Sequence, residues 1–82
     1  MRVRTSLVLA LAALALAGCA SGYGDGRRAL RQGRYVDAAT QFEEVLARNP
    51  DRVDALVGLG VAKYKAGEFD EAIPPLDRAV LR

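Results

Sequence analysis

The sequence predicts an all-α chain, a helix-turn-helix solenoid of about one and a half to two stacked units. Three observations predict it. First, the chain repeats at an offset of thirty-four residues: Gly26 aligns with Gly60, Leu30 with Tyr64, Gly33 with Gly67, Tyr35 with Phe69, Asp37 with Glu71, Ala38 with Ala72, Phe42 with Leu76 and Leu46 with Val80. A fixed period of this size marks stacked supersecondary units, not a single globular fold. Second, apolar residues recur at helical spacing, in Tyr35, Ala38, Ala39, Phe42, Val45 and Leu46 and again in Phe69, Ala72, Ile73, Leu76, Ala79 and Val80. Each set falls on one stripe that has to be buried. Third, glycine and proline stand between the stripes, where a chain must reverse.

Residues 1–18 have the three parts of an export leader: Arg2 and Arg4, an apolar run from Leu7 to Ala17, and small residues at its end. The run is apolar all round, unlike a core helix, and is well short of the ~20 residues a spanning helix needs. Residues 19–25 read as a flexible tether, because Gly22, Gly24 and Gly26 among scattered polar groups favour turns. Asp25 is placed to N-cap a first helix over 26–32. Gly33 can take the left-handed conformation that ends it, and a second helix follows over 35–48. Asn49-Pro50-Asp51 is the next stop, since proline disfavours helix at Asn49 and Asp51 can cap a third helix over 52–66. Gly67 then turns the chain into a fourth helix from 69 to the end. The units so divided are 26–50 and 51–82. Pro74-Pro75 lies about a turn inside the last helix, which implies a tolerated local kink with no binding role.

A thirty-four-residue unit built on Leu56, Leu59-Gly60, Tyr64, Gly67, Phe69-Asp70-Glu71-Ala72-Ile73, Leu76, Ala79 and Val80 resembles the tetratricopeptide repeat. The resemblance runs from Gly26 to Arg82. It implies that Gly60, Ala72 and Ala79 let the two helices of a repeat approach closely, while Leu59, Phe69 and Leu76 fill space toward neighbouring repeats. The first unit departs from the pattern, with Gly22 and Asp25 where the family usually has large apolar residues, which implies a short or frayed first helix. Pro50 sits where such repeats commonly carry a proline.

Leu16-Ala17-Gly18-Cys19 closes the leader and contains the only cysteine of the chain. This tetrapeptide resembles the lipobox of bacterial lipoproteins. The resemblance implies that the Cys19 thiol takes a diacylglycerol, that residues 1–18 are removed, and that the new amino terminus is acylated as well. Ala20 and Ser21 are non-acidic, similar to the residues that follow the cysteine in lipoproteins sent to the outer membrane. The expected localisation is therefore the bacterial cell envelope, lipid-anchored at the outer membrane and facing the periplasm.

Loss of the leader removes Arg2 and Arg4, leaving ten basic residues against ten acidic ones. The mature charge is then zero, so the whole-chain excess of +2 gives no argument for nucleic acid. One cysteine permits no intrachain disulfide. The chain has no histidine, and Ser21 and Thr40 are the only serine or threonine hydroxyls beyond the leader. No nucleophile-plus-base pair is available, and Glu43-Glu44 and Asp70-Glu71 are helix neighbours that do not face one another. The expectation is a protein that is not an enzyme, holds no metal or cofactor, and takes no small-molecule substrate.

Some tetratricopeptide repeats grip a partner's terminal carboxylate with lysine, arginine and asparagine, but Val57, Gly58 and Val61 occupy the matching places here. The resemblance instead puts Arg27, Leu30 and Arg31 of the first helix and Val57, Val61, Tyr64 and Lys65 of the third on the concave face. These residues suit an apolar protein segment with an acidic flank. The leading expectation is a membrane-anchored scaffold or assembly factor that holds a protein partner. The alternative is an amino-terminal adaptor of a larger envelope enzyme or glycan-binding protein whose functional domain lies beyond Arg82. Fewer than two full units are present, and about three are normally needed for stability. The repeats are accordingly expected to continue past Arg82, or else a dimer covers Leu76, Ala79 and Val80.

Overall fold

The computed structural model describes residues 22–81. The leader, Cys19 and Arg82 lie outside the described residues. Four helices and no strands occur among those described: α1 over 22–31, α2 over Tyr35–Arg48, α3 over Val53–Lys65 and α4 over Phe69–Val80. They form an all-α pair of helical hairpins, with α3 packed against both α2 and α4.

The two glycine turns are built alike. Gly33 has φ 77° and Gly67 has φ 85°, a region closed to most side chains. Arg34 N–H donates to Ala29 O at 2.9 Å and Gly33 N–H to Leu30 O at 3.1 Å. Glu68 N–H donates to Lys63 O at 2.9 Å and Gly67 N–H to Tyr64 O at 3.0 Å. This double return satisfies the last carbonyls of α1 and α3 and fixes each reversal. The proline turn differs: Asn49 caps α2 with its N–H on Val45 O, and Arg52 N–H reaches back to Asn49 O at 3.2 Å.

Several expectations need correction. Residues 22–25 are helical, so they do not belong to a flexible tether, and Asp25 lies inside α1 instead of capping it. The first helix is therefore longer than expected, already formed four residues ahead of Gly26. The reason is packing: Gly22, Gly26 and Ala29 are buried on one side of α1 and let it lie directly on α2. A Cβ on Gly22 would stand 3.1 Å from Val45 Cγ2, and one on Gly26 would stand 2.8 Å from the Phe42 ring. Gly22, at a place expected to hold a large residue, and Gly26 thus shorten the helix–helix distance without breaking the helix. Asp51 is not the cap of α3 either. Arg52 takes that position with extended backbone, and its guanidinium pairs with Asp54 at 2.7 Å.

Phe42 organises the core. It is fully buried, and a Cβ on Gly58 of α3 would stand 2.6 Å from its ring, so the ring lies in a slot between a glycine of α1 and a glycine of α3. Tyr23 closes the slot, its ring centroid 5.7 Å from that of Phe42. Leu56, Ala38, Ala55 and Ala62 are also fully buried around it. The second hairpin repeats the device: Gly60 faces Leu76 so closely that any Cβ there would overlap the leucine. Ala72 is buried and Ala79 packs against the core, as the family resemblance implied.

The outer stripe of α4 is left partly uncovered among the described residues, as expected around Val80. Leu76 and Ala79 turn inward, while Phe69 and Ile73 are 58% and 55% exposed and Val80 is 84% exposed. Phe69 does not fill a gap between repeats; it meets Tyr64 edge-on at 5.2 Å. α4 is assigned as one unbroken helix despite Pro74 and Pro75, with Pro75 buried. Their missing N–H groups leave only the carbonyls of Asp70 and Glu71 without helical partners, and both residues are exposed.

Matched glycines give a test of this packing. Gly24 and Gly58 are separated by the repeat offset, yet a Cβ on Gly24 meets nothing within 4 Å. Gly24→Ala should therefore stabilise by about 0.4–1 kcal/mol through lower unfolded-state entropy. Gly58→Ala should destabilise instead, and Gly60→Leu should cost about 1–3 kcal/mol by overpacking. Urea unfolding midpoints check the signs; equal shifts for Gly24→Ala and Gly58→Ala would refute the slot.

Candidate functional site

Helical spacing sets which side chains of α1 and α3 share a face. Val57, Val61, Tyr64 and Lys65 fall at i, i+4, i+7 and i+8 of α3, and Arg27, Leu30 and Arg31 at i, i+3 and i+4 of α1. Val57 is 41% and Tyr64 61% exposed, with Val61 half-buried between them. Arg27, Arg31 and Lys65 are exposed, whereas Leu30 is partly spent on the core. Tyr64 is also committed, its ring held edge-on by Phe69 at the last turn of α3.

Charge pairing divides the cations of the described residues into two groups. Among the described residues, Arg28 pairs with Asp25, Arg34 with Asp37, Arg52 with Asp54, and Lys63 with Glu43, Glu68 and Glu71. Arg31 and Lys65 enter no such ion pair, so their charge remains available to a ligand.

Tyr23 was missed by the sequence reasoning, which placed it in the tether. It stands on the α1 face that carries Arg27 and Leu30, with the Arg52 guanidinium 4.6 Å and the Arg27 guanidinium 5.9 Å from its ring centre. The signal was present: Tyr23 is the partner of Val57 at the same offset that aligns Leu30 with Tyr64. The run of glycines around it hid that match.

Lys63 occupies a different position, between α2, the Gly67 turn and α4. Its ammonium lies 3.0 Å from Glu71, 3.2 Å from Glu68 and 3.8 Å from Glu43. Hydrogen bonds to Glu71 and then Glu68 raise its pKa above the ordinary 10.5. The same bond from Lys63 holds the Glu71 carboxyl below its ordinary 4.5. This cluster ties the two repeats together and is structural.

The described residues offer no deep cleft for a small molecule on the α1–α3 face. A shallow groove of about 400 Å³ lies elsewhere, over Gly33, Arg34, Tyr35, Val36, Asp37 and Ala66, and next to it a cleft of about 250 Å³ beside Arg28, Arg34, Asp37 and Thr40. Its arginines are already paired with aspartates. Among the described residues, no helix is long and apolar enough to cross a membrane.

Comparison with known proteins agrees with this geometry. The tetratricopeptide repeat family matches residues 23–82, and so includes the helix that begins ahead of Gly26. The chain belongs to the tetratricopeptide repeat family. A Caenorhabditis elegans relative, Tetratricopeptide repeat protein 8, is 38% identical over 50 residues, which is 61% of this chain and 10% of that protein. The chain thus spans about a tenth of that relative's length. No solved structure matches the chain significantly. Tetratricopeptide repeats are protein-interaction modules and generally lack catalysis, in keeping with an exposed face that has side chains for contact and none arranged for chemistry.

The Lys63 cluster has a pH signature. The raised pKa of Lys63 contributes stability that is complete below 10.5 and lost as pH rises through its folded value. The lowered pKa of Glu71 contributes stability that is complete above 4.5 and lost as pH falls through its folded value. Lys63→Met should therefore lower Tm by a constant amount between these limits, with the difference shrinking outside them. A Tm difference independent of pH from 3 to 11 would sink this account.

Proposed function

We propose that this tetratricopeptide repeat chain is a lipid-anchored adaptor of the bacterial cell envelope, held at the outer membrane through Cys19 and facing the periplasm. The observation that carries the adaptor role is the α1–α3 face. Its apolar centre, the exposed Val57 and the half-buried Val61, has no described element over it, and the unpaired Arg31 and Lys65 border it. Such a face suits an apolar protein segment flanked by acidic residues, because burial of the valines supplies affinity while the cations select the flank. Tyr23 and Arg27 extend the face along α1. The anchor rests on Leu16-Ala17-Gly18-Cys19 behind an apolar run and two arginines. Acyl chains at ~0.8 kcal/mol per buried methylene make attachment lasting once two or more are present. Chemistry, on this reading, belongs to the partner.

Two measurements test the proposal. Labelled fatty acid should enter the wild type but not Cys19→Ser, which should also keep its leader. Wild-type protein that is soluble and unlabelled would remove the anchor. A photocrosslinking residue at Val61 should give discrete adducts in the envelope, and the same residue at the exposed Val36 of α2 should not. Equal adducts at both positions would remove the face.

A further inference from the structure

Covalent reach limits where the repeats can sit. α1 is already helical at Gly22, so only Ala20 and Ser21 separate it from Cys19. Three Cα steps cover no more than about 11 Å in any conformation. An acylated Cys19 therefore leaves the amino-terminal end of α1 within that distance of the lipid headgroups.

The packing shows what else lies at that end. α1 and α2 run antiparallel, so the end of α2 returns beside the start of α1, with Gly22 against Val45. α3 starts there as well, placing the Arg52 guanidinium over Tyr23. α4 finishes there, where Arg78 donates to Pro50 O at 2.7 Å. One pole thus gathers Arg48, Asn49, Arg52, Val53, Arg78 and Leu81. The Gly33 and Gly67 turns and the Tyr64–Phe69 ring pair mark the other. α3 has 13 residues, so the poles are about 20 Å apart.

We infer that the module stands with the Arg48–Arg52–Arg78 pole against the headgroup layer, its helices rising away from the membrane and its α1–α3 face turned sideways. This rests on the acylation of Cys19 proposed above. The pole suits an interfacial position. Val53 is 44% exposed at the start of α3, and the arginines can lay their stems along apolar surface with the guanidinium among phosphates. Asp51, Asp54 and Asp77 lie among those arginines, so the pole carries both signs of charge. Reach, not charge, sets the orientation, which makes it independent of salt and of anionic lipid content.

The orientation narrows the class of partner. Tether and helix together span about 30 Å, so the whole face stays within that distance of the headgroups. A segment that binds it is therefore held within that distance of the headgroups, and its protein has to fit against the membrane surface there.

Full-length protein, acylated in cells and transferred to phosphatidylcholine vesicles carrying nitroxide headgroups, tests the orientation. Arg48→Cys and Ala66→Cys each accept a fluorophore at one pole, since acylation consumes the Cys19 thiol. Quenching should be severalfold stronger at position 48 than at 66, unchanged in high salt and unchanged when anionic lipid is added. A twenty-residue Gly-Ser insertion between Ala20 and Ser21 should abolish the difference while fatty-acid labelling persists. Labelled protein quenched equally at both poles, or more strongly at 66, overturns the orientation alone. Loss of the difference in high salt overturns the claim that reach sets it. Protein without fatty-acid label overturns the anchor and the orientation together.

Discussion

The Phe42 ring held between two glycine backbones is the constraint on which the rest of the structure depends. Gly26 of α1 and Gly58 of α3 press on the ring closely enough that a Cβ on either would collide with it. Three helices are thereby fixed by one side chain: α2 supplies the ring, and α1 and α3 supply its walls. Interiors are close-packed, so a ring in such a slot has no room to shift and its neighbours cannot slide past it. Gly60 and Leu76 repeat the contact thirty-four residues on, joining α3 to α4 by the same means. Periodicity in the sequence is thus periodicity in a packing device.

That device explains why the second, third and fourth helices were legible and the start of the first was not. Alternation of apolar stripes with Gly33, Pro50 and Gly67 follows directly from period and turn chemistry, which are local properties. Gly22, Gly24 and Gly26 locally favour a turn, and sequence reasoning read them as a tether. Tertiary packing overrode that propensity, because Val45 and Phe42 need close backbone on the opposite side. The same glycines hid Tyr23, whose equivalence to Val57 becomes plain only once α1 is extended. Phe69 failed for another reason. Its stripe position is helical and apolar, but whether a stripe residue is covered depends on what lies beyond α4, which period alone does not supply.

Electrostatics act between repeats more than within them. Lys63 gathers one carboxylate from α2, one from the Gly67 turn and one from α4, and Arg78 ties α4 to the proline turn. Exposed ion pairs are individually weak, at about 0.2–1 kcal/mol, so these contacts do not hold the fold up. They set the register of one hairpin on the other, which burial of alanines and glycines alone leaves less defined. All these groups lie away from the α1–α3 face, whose Arg31 and Lys65 are left unpaired.

Stability is therefore carried by one side of α1 and α3, and the side we propose for recognition is the other. On α3, Ala55, Leu56, Gly60 and Ala62 point inward and are buried, while Val57, Val61 and Lys65 point outward and contribute little to the core. A substitution on the outer side leaves the Phe42 slot undisturbed, whereas a substitution in the slot disturbs the packing that holds both sides in place. The tetratricopeptide family is consequently read from the inner side, where steric demand leaves few choices. The outer side, where Val57 and Val61 stand beside Arg31 and Lys65, is under no such demand, and it is there that we propose an apolar segment with an acidic flank binds.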